Sequence, residues 1–407
     1  MPYSKKRLRI RGFMRVLRAA ILALGFAPGP AFAQDAAGLF QPAPSRPASA
    51  SDSTPMVRAA LDAPPVPIAR PTPGMRNTEN DTETPPTPSP RPPVTYPPQK
   101  VSFPGGVSAQ FDITYSALAG FRPLTLDIYT PKPSPIPLPF VLFVHGGGWN
   151  SGDSRHASPF PDFPRALAGL AAQGYVVASV NYRLSQEAHF PAALQDVKAA
   201  IRWLRGHASD YGGDPTRLAA WGMSAGGQLA AMAGTSCGVM RFEPDGNVNY
   251  AAPSDCTEAV IDWFGPTDLD TPAAGPGESK DGFVAATKAS EAGLYLGCEP
   301  AACPPGVAKL ASPLGFISEN APPFLIQQGA TDTAVLPGQS QKLYDALRQK
   351  NIPAEITLYP DVGHDFLKDG KPDAATVTKA MTKLVTFLAA TFPNKPAKPD
   401  IRHTVAK

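Results

Sequence analysis

Cysteine is scarce: the chain has four in 407 residues, too few for a disulfide scaffold. Charge is thin as well, at 17% Asp, Glu, Lys and Arg with a formal +3, so the dense basic patch of a nucleic-acid binder is missing. No apolar run approaches the roughly 20 residues needed to cross a bilayer. No CxxC pair or His/Cys cluster suggests a metal site, and no internal repeat suggests a solenoid or propeller. Hydrophobic residues make up 43%, enough to bury a sizeable core. Proline is in excess: 50 residues, about 12% against an ordinary ~5%.

The N-terminus accounts for the positive charge. Lys5, Lys6, Arg7, Arg9, Arg11, Arg15 and Arg18 occur with no acid among them, followed by apolar Ala19–Ala27 and then Ala31-Phe32-Ala33. A basic stretch, a short apolar stretch and a small-x-small site predict a secretory signal over residues 1–33, cut after Ala33. The expectation is export to the periplasm or medium, with no membrane span in the mature protein. Its loss leaves 30 basic against 34 acidic residues, a net −4.

Residues 34–100 hold 17 of the prolines, with many Ala, Ser and Thr and no sustained period. Proline removes amide donors and fixes φ, so this segment is expected to be an extended, disordered linker. Residues 394–407 (from NKPAKPD) read as a flexible tail.

Residues 101–393 read as one folded domain. Phe121–Tyr129 alternates as a strand, and Phe140–Val144 (FVLFV) is a continuous apolar run suited to a strand covered on both faces. Further strands are expected at Tyr175–Val180, Arg217–Gly222, Glu258–Phe264, Phe324–Gln328 and Ala354–Tyr359. Helical patterns fall near Phe160–Gln173, Pro191–His207, Gly226–Ala233, Gln339–Lys350 and Ala375–Ala390. This alternation predicts an α/β fold with a doubly wound, mostly parallel sheet and chemistry at the strands' carboxyl ends. In an oxidising space the four cysteines can form two disulfides. Closeness in sequence favours Cys298–Cys303, leaving Cys237–Cys256.

Gly222-Met223-Ser224-Ala225-Gly226-Gly227 stands where a strand meets a helix. Small flanking residues let the chain close tightly around a strained turn that exposes a serine nucleophile. His145-Gly146-Gly147-Gly148-Trp149 follows the FVLFV strand, and its glycines leave backbone N–H groups free to face an oxyanion, together with that of Ala225. A hydroxyl needs a base. Of six histidines, His364, in Asp361-Val362-Gly363-His364-Asp365-Phe366, is the candidate downstream of Ser224; His145 is expected to brace the glycine loop. Asp332, in Gly329-Ala330-Thr331-Asp332, is the preferred acid to orient the imidazole, with Asp268 as competitor one strand earlier. Trp149, Phe264 and Phe366 are candidates either for lining the pocket or for core packing.

Taken together, HGGGW, Asn181-Tyr182-Arg183-Leu184, FPAALQDVKAAIRWLR from Phe190, GGDPTRLAAWGMSAGG from Gly212, FGPTD from Phe264, GATDTAV from Gly329 and GHDF from Gly363 resemble the α/β-hydrolase superfamily. Within it the chain is similar to the hormone-sensitive-lipase-like and bacterial feruloyl or acetyl-xylan esterase branches. The resemblance implies Ser224, Asp332 and His364 as a triad, and Gly147, Gly148 and Ala225 as an oxyanion hole. It also implies a carboxylic-ester hydrolase acting on short-chain or aromatic acyl esters, small or polysaccharide-linked, without metal or organic cofactor. A serine peptidase of the same fold and an inactive hydrolase fold used for binding are the alternatives. Residues 271–310, rich in Gly, Ala and Pro, are expected to form an irregular wall or lid.

Overall fold

The computed structural model describes residues 99–243, 253–270, 291–298 and 303–393. The signal peptide expected at 1–33, the linker as far as residue 98 and the tail at 394–407 lie outside the described residues.

Apolar runs without alternation need cover on both faces, and the central strands have it. The sheet contains β1 Gln99–Phe103, β2 Val107–Ser116, β3 Leu124–Thr130, β4 Leu138–Val144, β5 Val176–Val180, β6 Gly213–Met223, β7 Ala259–Trp263, β8 Phe324–Gly329 and β9 Ala354–Tyr359. Their order is β1-β2-β3-β5-β4-β6-β7-β8-β9. The pairs from β5 through β4 to β9 are parallel, whereas β1, β2, β3 and β5 pair antiparallel. A short hairpin pairs β10 Leu367–Lys368 with β11 Lys371–Pro372.

The helices are α1 Phe163–Ala171, α2 Ala192–Gly206, α3 Ala225–Thr235, α4 Glu291–Leu296, α5 Val307–Leu310, α6 Pro337–Gln349 and α7 Ala374–Thr391. Successive strand residues point to opposite faces, and β6 divides accordingly. Leu218 and Ala220 join clusters that include Val197 and Leu204 of α2, Leu229 and Ala230 of α3, and Leu343 of α6. On the other face Trp221 meets Phe143 and Phe163 of α1, and α7 packs beyond them on β7 and β8. Asp162 caps α1 by accepting from the Arg165 amide, and Asp373 caps α7 through Thr376.

The doubly wound, mostly parallel sheet is as expected. Three differences have physical causes. The strand expected from Phe121 starts at Leu124, because Arg122 turns aside to pair with Glu187 and Pro123 intervenes. Gln99 and Lys100, expected in the linker, belong to β1, where they pair with Phe111 and Gln110. The stretch 271–310, expected to be irregular, is helical at α4 and α5, with turns at its other described residues. Both disulfides, Cys237–Cys256 and Cys298–Cys303, are present. No helix among the described residues is long and apolar enough to cross a membrane.

Candidate active site

Four parallel strands end at one cavity. The glycine loop follows β4, Ser224 follows β6, Asp332 lies just beyond β8 and His364 just beyond β9. Ser224 adopts φ 53°, a left-handed conformation that costs a non-glycine residue energy and persists only where its surroundings impose it. The Ser224 amide donates to the Trp263 carbonyl at 2.9 Å, and its carbonyl accepts from Gln228 in the first turn of α3. The flanking glycines are required by contact. A Cβ on Gly222 would strike the Gly226 carbonyl, and one on Gly226 would strike the carbonyls of Val144 and His145.

His364 bridges the pair on either side of it. Its Nε2 lies 2.9 Å from Ser224 Oγ, and its Nδ1 lies 2.8 Å from Asp332 Oδ2. Asp332 is 2% exposed, and its Oδ1 accepts from the amides of Ala334 and Val335. Burial opposes charging of His364. The Asp332 hydrogen bond and charge, with Asp365 and Glu291 adding to them, outweigh burial and raise the imidazole above its ordinary value. Phe264 lies edge-on to the imidazole with centroids 4.9 Å apart.

The competing acid takes another partner: Asp268 forms an ion pair with Lys342 at 3.1 Å. Asp365 is pushed up by burial, against its bond to Ser158 and the charge of His364.

In the glycine loop, Gly147 and Gly148 have φ 100° and 60°, so this path suits glycine. The Gly147 carbonyl is taken by the amides of Asn150 and Ser151. Among the described residues nothing accepts from the N–H groups of Gly147, Gly148 and Ala225. His145 braces the loop as expected. It is 1% exposed, stacks on Tyr182 at 4.2 Å and has Nδ1 2.7 Å from the Gly146 carbonyl; burial lowers its pKa to about 4.

Trp149 borders the cavity, but its ring is spent on packing. It is 1% exposed, stacks on Tyr295 at 4.6 Å and donates from Nε1 to Gln228. Phe264 and Phe366 are likewise fully buried and pack around His364 and Trp263. The cavity has a volume of about 820 Å³, within the range that holds a small-molecule ligand. Sequence reasoning missed Glu291 on its wall, because this residue stands in a stretch with no readable period. The candidate metal-ligand group among the described residues, Cys237, Asp255 and Cys256, has both sulfurs in a disulfide and its carboxylate on Lys198.

The arrangement can deprotonate a hydroxyl, hold a carbonyl oxygen and return a proton. Known proteins similar to this chain include esterases. The BD-FAE pattern matches residues 126–347, more than half of the chain, and the prolyl oligopeptidase family pattern matches residues 307–394. Esterase LipC of Mycobacterium tuberculosis is 32% identical over 250 residues, covering 60% of this chain and 58% of its own. The chain thus spans somewhat over half the length of that relative. A truncated form of a carbohydrate esterase from gut microbiota aligns with TM-score 0.57 and 26% identity, covering 70% of this chain and 95% of that one. The propionate-bound esterase Est2 of Thermogutta terrifontis aligns with TM-score 0.55 and 26% identity, covering 72% and 97%.

Proposed function

Because the chain belongs to the BD-FAE family, we propose that it is an exported serine esterase working through a covalent acyl-enzyme. The observation that carries this reading is the hydrogen-bonded line from Ser224 through His364 to Asp332, ending in a cavity beside unpaired loop amides.

His364 Nε2 takes the proton of Ser224 as Oγ attacks the ester carbonyl. The carbonyl π pair moves onto oxygen, where the N–H groups of Gly147, Gly148 and Ala225 receive it. Collapse expels the alcohol, which leaves with the proton from His364. Water, deprotonated by the same nitrogen, then attacks the acyl-enzyme, and His364 returns the proton to Ser224 Oγ as the acid leaves. Asp332 holds the imidazole in the required tautomer and stabilises its charged form.

The substrates proposed are short-chain or aromatic acyl esters, including acyl groups on plant polysaccharide. The carbohydrate esterase and the propionate complex among the similar structures support this range. The disulfides fit the oxidising compartment that export reaches.

Purified protein is offered p-nitrophenyl acetate, butyrate and decanoate, methyl ferulate, acetylated xylan and a peptide panel, beside Ser224→Ala. Short esters should turn over, and Ser224→Ala should lose roughly 10⁴-fold or more. The prolyl oligopeptidase match favours a peptidase as second reading, but it spans only the region of the acid and base, not the glycine loop or Ser224. Peptide cleavage without ester cleavage would establish that reading; no Ser224-dependent activity would favour a binding role. N-terminal sequencing of the exported protein should read from Gln34.

A further inference from the structure

The glycine loop carries a neighbour that the proposed chemistry does not use. Glu291 opens α4 on the cavity wall, and α4 is pinned from several sides. Tyr295, one turn on and on the same face, stacks on Trp149. The Tyr295 carbonyl accepts from the Phe190 amide, and that of Leu294 lies 2.7 Å from His189 Nδ1. The stack on Trp149 brings Glu291 over the preceding loop residue: a Cβ built on Gly148 would lie 2.5 Å from both Glu291 carboxylate oxygens. Glu291 is exposed to the cavity, and no described residue is its hydrogen-bond or ion-pair partner.

A carboxylate beside an oxyanion hole opposes the charge that develops on the ester oxygen, although it also favours the charged form of His364. It has a use when the substrate brings a hydrogen-bond donor or a positive charge to it. Two kinds of substrate group could do so, a hydroxyl or a cation. Quaternary ammonium recognition uses aromatic faces. Among the described residues, the aromatic side chain bordering this cavity, apart from the imidazoles, is Trp149, whose ring is covered by Tyr295. Hydroxyls need only an acceptor.

We infer that Glu291 is a specificity-determining residue that accepts a hydrogen bond from a free hydroxyl adjoining the ester, selecting partially acylated polyols over simple alkyl esters. This deepens the esterase reading and rests on it. No bond to Glu291 is made or broken in the reaction.

The test compares kcat/KM of the wild type, Glu291→Gln and Glu291→Ala on matched pairs: glycerol 1-acetate with propyl acetate, and acetylcholine with 3,3-dimethylbutyl acetate. A bond to a charged acceptor exceeds one to a neutral acceptor by enough that the glycerol-to-propyl ratio should fall about tenfold in Glu291→Gln, and further in Glu291→Ala. Ratios do not depend on the folded fraction, so a partly unfolded variant cannot imitate the result. A glycerol-to-propyl ratio unchanged by both substitutions overturns the inference. A collapse confined to the acetylcholine pair also overturns it, in favour of a cation site. Failure of the wild type to hydrolyse any of the four esters, or p-nitrophenyl acetate, would instead sink the esterase reading.

Discussion

Gln328 donates from Nε2 to Asp332 Oδ2, the same oxygen that faces His364, at 3.2 Å. The Gln328 amide is itself fixed by the Val335 carbonyl and by Ser340. With Ala334 and Val335 donating to Oδ1, the carboxylate has no freedom to rotate away from the imidazole.

The acid is therefore testable by a paired substitution. Asp332→Asn puts an amide in this closed set of bonds and favours the wrong imidazole tautomer; kcat should drop about 10³–10⁴-fold. Asp268→Asn breaks a partly exposed pair with Lys342, worth about 1 kcal/mol or less, and should change kcat less than about threefold. A larger loss at Asp268 would reassign the acid.

The pH profile follows from the raised pKa of His364. The neutral imidazole is the base, so kcat/KM should fall as pH drops through a value above that of ordinary histidine. The same shift works oppositely on stability. A His raised in the folded state stabilises the fold fully below its unfolded pKa, and that contribution disappears as pH rises through the folded one. An acid limb lying below the ordinary histidine value would contradict the assignment.

Gly226→Ala should cost about 3 kcal/mol or more, because its Cβ meets two backbone carbonyls rather than a side chain that can move. Thermal unfolding reads the loss directly. A variant with wild-type Tm would show the turn to be looser than this contact requires.

The disulfides should differ in weight. Cys237–Cys256 closes 19 residues and Cys298–Cys303 closes five. Chain entropy predicts about 3 and about 2 kcal/mol. The double Cys→Ser variant of the longer loop should therefore show the greater fall in Tm. The reverse order would point to contacts, rather than loop closure, as the source of stability.

The parts of the site that announced themselves in the sequence are those whose chemistry demands a rare residue at a strand end: Ser224 between glycines, the glycine loop, and His364 and Asp332 just beyond apolar strands. The acid needed the structure, because Asp268 occupies an equivalent place after β7 and only distance separates the two. Glu291 was illegible for another reason: its position depends on Tyr295 finding Trp149, a contact between residues far apart in the chain. β1 and β2 were missed because their pattern is diluted by exposure, with Lys100, Ser108 and Asp112 outward. Trp149 reads equally as pocket lining and as core until a partner for its ring is known.

β1 stands five places from β6 in the sheet order. At a spacing of about 4.8 Å per strand, β1 lies about 24 Å from the strand that carries Ser224. The fold thus has a natural mounting point. A carrier, a tag or a solid support joined at Gln99 would be attached to the edge strand, five strands from Ser224.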